Sequence, residues 1–286
     1  MLSFLYWDPS PALFNYNLPL LGRPILWYGF LFALGFLLGY FVLLHLLKRI
    51  PSLPVKPISD KIVFHMLVGA IAGARLGDVL FYQTWTGDFG SIFRFWEGGL
   101  ASHGGAIGIL ISLAILARRI KELSFLRLLD LVVIPTALAA GFIRIGNFFN
   151  QEILGTVSTL PWAVVFGNAA DGSLPQPRHP VQLYEAFFYF SVFLFLFLRK
   201  RVTDAPGRIA GLFLMIIFAF RFLIEFIKEE QSAWVSSGHL LTMGQYLSLP
   251  LMALGLLLWV RARRAGSQSG ATAPDNSFRP KRETVR

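Results

Sequence analysis

Residues Gly141–Gly155 read GFIRIGNFFNQEILG. They set an arginine (Arg144), two asparagines (Asn147, Asn150) and a carboxylate (Glu152) at the end of an apolar run, 129–149, that reads as a membrane span. An ionisable side chain at membrane depth is costly, so it normally faces a partner or a wet cavity. Two readings stay open here. The arginine is held by a structural carboxylate or by helix-end carbonyls, or it belongs to an anion site.

The rest of the chain is as apolar as this run. Of its 286 residues 55% are hydrophobic and 15% charged, against about 25% charged in an ordinary soluble domain, and the mean hydropathy is +0.59. The class is an all-α integral membrane protein. Crossing the hydrocarbon takes about 20 apolar residues, and seven segments qualify as transmembrane helices: 25–47, 62–82, 100–117, 129–149, 181–198, 209–227 and 240–260. Lys48, Arg49, Lys56 and Lys61 follow the first, and Arg118, Arg119, Lys121 and Arg127 the third. Arg199, Lys200, Arg201 and Arg208 follow the fifth, and Arg261, Arg263 and Arg264 the seventh. The connections 83–99, 150–180 and 228–239 are poor in Lys and Arg. By the positive-inside rule the N-terminus is extracytoplasmic (periplasmic) and the C-terminus cytoplasmic. The net charge of +10 therefore writes topology, and nucleic acid is not an expected partner.

The expected organisation is a membrane domain over 1–264, with a long extracytoplasmic loop at 150–180, and a disordered basic cytoplasmic tail over 265–286. No cleavable signal peptide is expected, because the first 20 residues lack a basic region and contain Asp8 and three prolines. The chain has no cysteine. Disulfides, thiolate metal sites and a cysteine nucleophile are excluded, so any thiol chemistry needs a thiol on the substrate.

The polar groups that do not belong in lipid fall at one depth. His103 opens the third span in Ser102-His103-Gly104-Gly105; Arg144, Asn147 and Glu152 close the fourth; Arg178, His179, Gln182, Tyr184 and Glu185 open the fifth. Arg221 and Glu225 lie four apart in the sixth, and Tyr28 stands near the outer end of the first. Each has a plain structural alternative. Arg221 and Glu225 neutralise each other, Glu185 orients Arg178 or His179, and Tyr28 is an interfacial aromatic. Arg75 and Asp78, three apart, read as a self-contained pair in the second span, among small residues suited to close helix packing. Gly104 and Gly105 lack Cβ atoms, so helix-start N–H groups beside His103 can approach an anion closely.

Two arginines, a histidine and helix-start amides suit a phosphate, which guanidinium groups bind in a bidentate fork. At membrane depth that phosphate belongs to a phospholipid headgroup. Histidine, with a pKa of about 6.5, adds an acid–base group. The histidines are too dispersed for a metal cage, so neither a metal nor another cofactor is expected. The chemistry indicated is metal-free displacement at a phospholipid, with the anionic leaving group stabilised electrostatically.

GFIRIGNFFNQEILG resembles the signature block of the bacterial prolipoprotein diacylglyceryl transferase family. Supporting blocks follow in the family's order: Arg23–Gly29 (RPILWYG), Gly73–Gly77 (GARLG), His103-Gly104-Gly105, Arg178–Glu185 (RHPVQLYE) and Arg221–Glu225 (RFLIE). The resemblance covers about residues 10 to 260. It implies an enzyme of the bacterial cytoplasmic (inner) membrane that moves the diacylglyceryl group of phosphatidylglycerol to the lipobox cysteine of a preprolipoprotein signal peptide. The products are a thioether and glycerol 1-phosphate. It further implies that His103, Arg144 and Arg221 are catalytic, the arginines holding the phosphate and His103 serving as general base. Asn147, Glu152, Glu225, Tyr28, Gly104, Gly105, Arg178, His179 and Gln182 then bind substrate or orient the arginines.

Three positions depart from the family pattern. Ile217 stands where a tyrosine is expected, Asp78 where an aromatic residue is expected, and Lys228-Glu229-Glu230 replaces an arginine followed by Pro-Asp. Two rival functions remain at this stage. An anion or lipid transporter would use the same arginines along a polar path through both membrane halves. A lipid-binding scaffold would not need His103.

Overall fold

The structure, a computed structural model, describes residues 4–17, 22, 24–51, 53–81, 101–120, 122–199, 205–229 and 238–271. The expected 83–99 connection, residues 272–286 of the tail, and Arg23, Lys121, Lys200, Arg201 and Glu230 lie outside them. The described residues form strands β1 (Leu5–Trp7), β2 (Ala12–Asn17) and β3 (Pro24–Leu26) and helices α1 (Trp27–Leu47), α2 (Val55–Phe81), α3 (Ser102–Arg119) and α4 (Phe125–Phe149). Strands β4 (Val164–Phe166) and β5 (Pro177–Arg178) follow, then α5 (Val181–Phe197), α6 (Arg208–Ile224) with a 3-10 turn at Glu225–Ile227, and α7 (Met243–Ala271).

Among the described residues five helices are long and apolar enough to cross a membrane: Trp27–Leu47, Val55–Phe81, Phe125–Phe149, Arg208–Ile227 and Met243–Arg264. Their outward faces are hydrocarbon. Phe41, Phe64, Leu80 and Leu257 are each more than half exposed, which a water-soluble surface does not tolerate over so wide an area. This is a multi-pass membrane protein. Two boundaries differ from expectation. α2 begins at Val55 rather than 62, since Lys56, Asp60 and Lys61 occupy its first turns without breaking it. α7 runs to Ala271, so residues 265–271 of the expected disordered tail are helical.

Helix pairs meet where side chains are smallest. Gly104 and Gly108 of α3 lie on Gly69, Gly73 and Gly77 of α2, so close that a Cβ on Gly104 would stand 2.8 Å from the Gly77 Cα and collide with the Gly73 carbonyl. Gly35 and Gly39 of α1 sit on Ala139 and Pro135 of α4, and Gly211 of α6 on Gly255 of α7. Without a hydrophobic drive between helices in lipid, such backbone approach is what holds them together. We expect Gly104→Ala to lower thermal stability in detergent. Gly105→Ala, whose Cβ meets neighbours at an ordinary 3.4 Å or more, should leave it unchanged.

The two ends of the bundle differ. At the end carrying Lys48, Arg118, Arg119 and Arg199, a dry core is built from Leu43, Leu46, Leu47, Leu113, Leu116, Leu128, Leu131 and Leu196, all 1% exposed or less. One carboxylate enters it. Asp130 of α4 accepts hydrogen bonds from the N–H groups of Gly207 and Ala210, both at 2.7 Å, and so caps α6 from a neighbouring helix, where Gly207 is left-handed (φ +88°) and has no side chain to do so. Asp130→Ala leaves those amides buried without acceptors. A loss of about 2 kcal/mol or more is expected, read as a lower melting temperature.

The opposite end carries a folded cap. β1 pairs in parallel with β4, Leu5 opposite Val164 and Trp7 opposite Phe166, and β4 runs antiparallel to β5. The 150–180 segment is thus zipped to the N-terminus. Phe148, Leu154, Val164 and Phe166 form a small second core with Trp7 against it, and Trp7 donates its indole N–H to the Phe148 carbonyl at 3.1 Å. Phe149 stacks on Trp27 at 4.6 Å. The paired phenylalanines of the signature block therefore fasten the cap and the start of α1 to the end of α4.

Candidate active site

The cap covers the end of the bundle where α4 and α6 finish and α5 begins. In the last turns of α4, Arg144 Nη1 donates to Asn147 Oδ1 at 3.2 Å, and Asn147 Nδ2 donates to Glu152 Oε1 at 2.7 Å. Glu152 reaches back because the chain leaves α4 through two left-handed residues, Gln151 (φ +52°) and Ile153 (φ +58°). Neither is glycine, so the turn is strained, a state usually kept at functional sites. Gln151 is held in it by Asp8 Oδ1 at 3.2 Å and by the Asn168 N–H, which donates to Gln151 Oε1 at 2.8 Å. Gln182 donates to the Glu152 carbonyl at 2.8 Å.

From Arg144 an alternating chain of charge crosses three helices. Arg144 Nε lies 3.1 Å from Glu185 Oε2, and Glu185 is fully buried. Lys228 Nζ lies 3.1 Å from Glu185 Oε1 and 3.6 Å from Glu225 Oε1. Arg221 Nη2 stands 3.7 Å from Glu225 Oε1, and Thr242 donates to Glu225 Oε2 at 3.1 Å. The Tyr189 side chain, one turn beyond Glu185, is buried and interacts electrostatically with Arg144. Three cations alternate with two carboxylates along this chain, and Glu152, joined to Arg144 through Asn147, is the third carboxylate of the cluster. Arg221, with its side chain 30% exposed, has Glu225 as its ion-pair partner among the described residues, and a guanidinium has five N–H donors to offer an incoming anion. Burial pushes the Lys228 ammonium below the usual lysine value, against the pull of Glu185 and Glu225.

The structure brings together Arg144, Asn147, Glu152, Gln182, Glu185, Arg221 and Glu225. Tyr28 joins them: α1 begins against the last turn of α4, where a Cβ on Gly146 would stand 2.9 Å from the Tyr28 ring, and Glu152 and Arg144 act on it electrostatically. Three expectations change. Glu185 does not orient Arg178 or His179; it pairs with Arg144 and Lys228. Arg178 is 5% exposed and spent inside the cap, on the Gly155 carbonyl at 3.2 Å and Glu229 at 2.8 Å. Gly104 serves the α2 crossing, because helix approach demands the same missing Cβ as an anion cradle. His179 faces the Tyr184 hydroxyl at 3.4 Å, which also accepts from Trp162. Arg75 and Asp78 pair at 3.5 Å, as expected.

His103 is exposed at the start of α3. Just beyond it, Gly105 and Ala106 enter the wall of an apolar groove of about 440 Å³ between α1, α2, α3 and α4, which Ile143 also lines. Neither His103 nor Arg144 is among its lining residues, and the structure does not bring His103 to the arginines. Among the described residues no three His, Asp or Glu side chains come together to hold a metal ion. Tyr189 and Gln151 are not among the expected site residues. Lys228 stands in the sequence only as a departure from the family pattern, where an arginine is expected; the structure puts its cation in the cluster.

The fold and site define a multi-pass membrane protein with a cluster of paired, largely buried charges at the capped end of its helix bundle. The family model described as prolipoprotein diacylglyceryl transferase matches residues 16–261, and the chain belongs to that family. A relative from Tolumonas auensis is 42% identical across 89% of this chain and 96% of its own length. One from Porphyromonas gingivalis is 41% identical across 91% and 95%, and one from Chloroherpeton thalassium 39% across 90% and 93%. All three bear the name phosphatidylglycerol–prolipoprotein diacylglyceryl transferase.

Proposed function

We propose that the chain transfers the diacylglyceryl group of phosphatidylglycerol to the lipobox cysteine thiol of a preprolipoprotein. Sulfur attacks the glyceryl carbon that carries the phosphodiester; the C–S bond forms, the C–O bond breaks, and glycerol 1-phosphate leaves. The phosphodiester has one negative charge and the leaving monoester gains a second. Positive charge placed at the phosphate therefore stabilises the transition state more than the ground state. The observation that carries this reading is the Arg144–Glu185–Lys228–Glu225–Arg221 chain. It holds two guanidinium groups in place, next to a stretch of α4 whose Ile143 lines an apolar groove.

Arg144 and Arg221 hold the phosphate, while Asn147, Glu152, Gln182, Glu225 and Tyr28 orient the arginines or take the glycerol hydroxyls. His103 takes the thiol proton. Transfer from a thiol near pKa 8.5 to an imidazole near 6.5 is uphill by about 2.7 kcal/mol, a modest part of an enzymatic barrier. The seven helices span the bacterial inner membrane with the cap outside and residues 272–286 in the cytoplasm, in keeping with the basic connections at the opposite end. The transporter reading needs a polar path through both halves, and the buried leucines at the basic end oppose it.

A mass assay tests the reading. The purified protein is incubated with phosphatidylglycerol and a lipobox peptide. A diacylglyceryl mass gain on the cysteine is expected, absent with a Cys→Ser peptide. No gain from folded, lipid-supplied protein would overturn it in favour of transport, and His103→Ala at full rate would remove the histidine as base.

A further inference from the structure

The cap presents apolar side chains that its own fold does not use. From Ile153 to Ala170 the chain carries no charged residue. Leu154, Ala163, Val164 and Phe166 of this run are buried, but Val157 and Trp162 are each more than half exposed and Leu160 is 37% exposed. These exposed residues stand on a firm support. Val157 bridges to Arg178 in β5, and the Ser158 N–H donates to the Pro177 carbonyl at 2.9 Å. Leu160 to Ala163 then forms a tight turn, closed by the Ala163 N–H on the Leu160 carbonyl at 2.9 Å. Pro161 takes the position in it that its fixed φ favours. The tip is ordered before it meets anything, so little freedom is lost on contact.

The turn leans on the start of α5. Trp162 Nε1 donates to the Tyr184 hydroxyl at 2.7 Å. Three residues further along that apolar helix, Phe187 is 77% exposed, and residues three apart are neighbours on a helix surface. At 1.5 Å per residue, Phe187 lies about 4.5 Å further from the capped end than Tyr184. A phenylalanine so exposed on a helix of a membrane bundle meets hydrocarbon. Trp162 and Tyr184 then stand at the level of the lipid headgroups, where these two residue types are enriched. The one polar group of the indole is already bonded to Tyr184, so immersing the ring strands no donor. We propose that the Leu160–Trp162 turn, with Val157, is an interfacial anchor that seats the cap on the glycerophospholipid surface beside α5. It adds a lipid contact to the hydrogen-bonded seams that fasten the cap to the helices, and it does not depend on the transfer reaction.

Spin labels in the full chain, reconstituted into phosphatidylglycerol-containing liposomes, test it. The chain has no cysteine, so Thr159→Cys and, in a separate protein, Ala170→Cys each carry a single nitroxide. Both positions are exposed, and Ala170, next to the exposed Asp171, is the aqueous reference. Collisions are measured with dissolved oxygen, which concentrates in lipid, and with a nickel chelate, which stays in water. The oxygen-to-nickel ratio is expected to be several-fold higher at 159 than at 170. Adding Leu160→Asp to the first protein should bring its ratio down to that of the reference, whereas Leu160→Phe should keep it high; Leu160 is exposed, so thermal denaturation in detergent should be unchanged in both. Equal ratios at the two positions overturn the proposal. A ratio at 159 that stays high in Leu160→Asp also overturns it, because the shielding then comes from the protein and not from lipid. A label open to nickel in lipid alone, and shielded only when a lipobox peptide is added, gives the surface to the protein substrate and overturns it as well.

Discussion

Arg144→Lys is expected to lower transfer about 100-fold or more while the protein remains folded. Arg144 makes two divergent contacts, Nε to Glu185 at 3.1 Å and Nη1 to Asn147 at 3.2 Å, and a lysine places a point charge where a planar fork is needed. Loss of one preorganised donor to a developing oxyanion typically costs a factor of 100 to 1,000. Arg144→Ala goes further, because it also strips the fully buried Glu185 of one of its two cationic partners; breaking a buried pair from one side costs about 3–5 kcal/mol. Combining Arg144→Ala with Glu185→Gln separates the two effects. The double variant should recover thermal stability and still lack activity. Rates come from the mass assay, folding from thermal denaturation in detergent. Full turnover in Arg144→Lys would end the case for a bidentate phosphate anchor.

Lys228→Met should be the most damaging change outside the signature block. The ammonium separates two carboxylates, Glu185 at 3.1 Å and Glu225 at 3.6 Å; without it a fully buried anion keeps only Arg144, again about 3–5 kcal/mol. Both melting temperature and turnover should fall, and Lys228→Arg should retain most of each. The pH dependence discriminates further. Burial holds the Lys228 value below the ordinary lysine value, so the bridging charge is lost as pH rises, and at lower pH than for an exposed lysine. Lys228→Arg stays charged there and should carry activity further into the alkaline range. Identical alkaline limbs in the two proteins would show that the bridge does not matter to the rate.

The membrane made much of this architecture legible. Lipid penalises misplaced charge so heavily that Arg144, Asn147, Glu152, Glu185, Arg221 and Glu225 stood out in an apolar sequence, and their shared depth pointed to one cluster. What stayed hidden depended on distance along the chain or on one residue type serving two ends. Leu5–Trp7 pairs with Val164–Phe166 across more than 150 positions, which no local periodicity reports. Asp130 caps a helix 77 positions later in the chain. Lys228 stood out in the sequence only as a replacement for an expected arginine, without its partner Glu185. Gly104 fits an anion cradle and a helix crossing equally well in sequence, and only the backbone of Gly73 decides between them.

The strap after α6 has a consequence for how the enzyme is born. Thr156 N–H donates to the Ile227 carbonyl and Glu229 N–H to the Leu154 carbonyl, both at 2.9 Å, while Lys228 sends its ammonium down to Glu185. The cap is therefore fastened, and the pocket electrically balanced, by a segment made after six of the seven helices. A ribosome-bound chain that has not yet released residues 227–229 carries Glu185 without its lysine and a cap without its last seam. A chain arrested before those residues is therefore expected to lack both the fastened cap and the transfer activity.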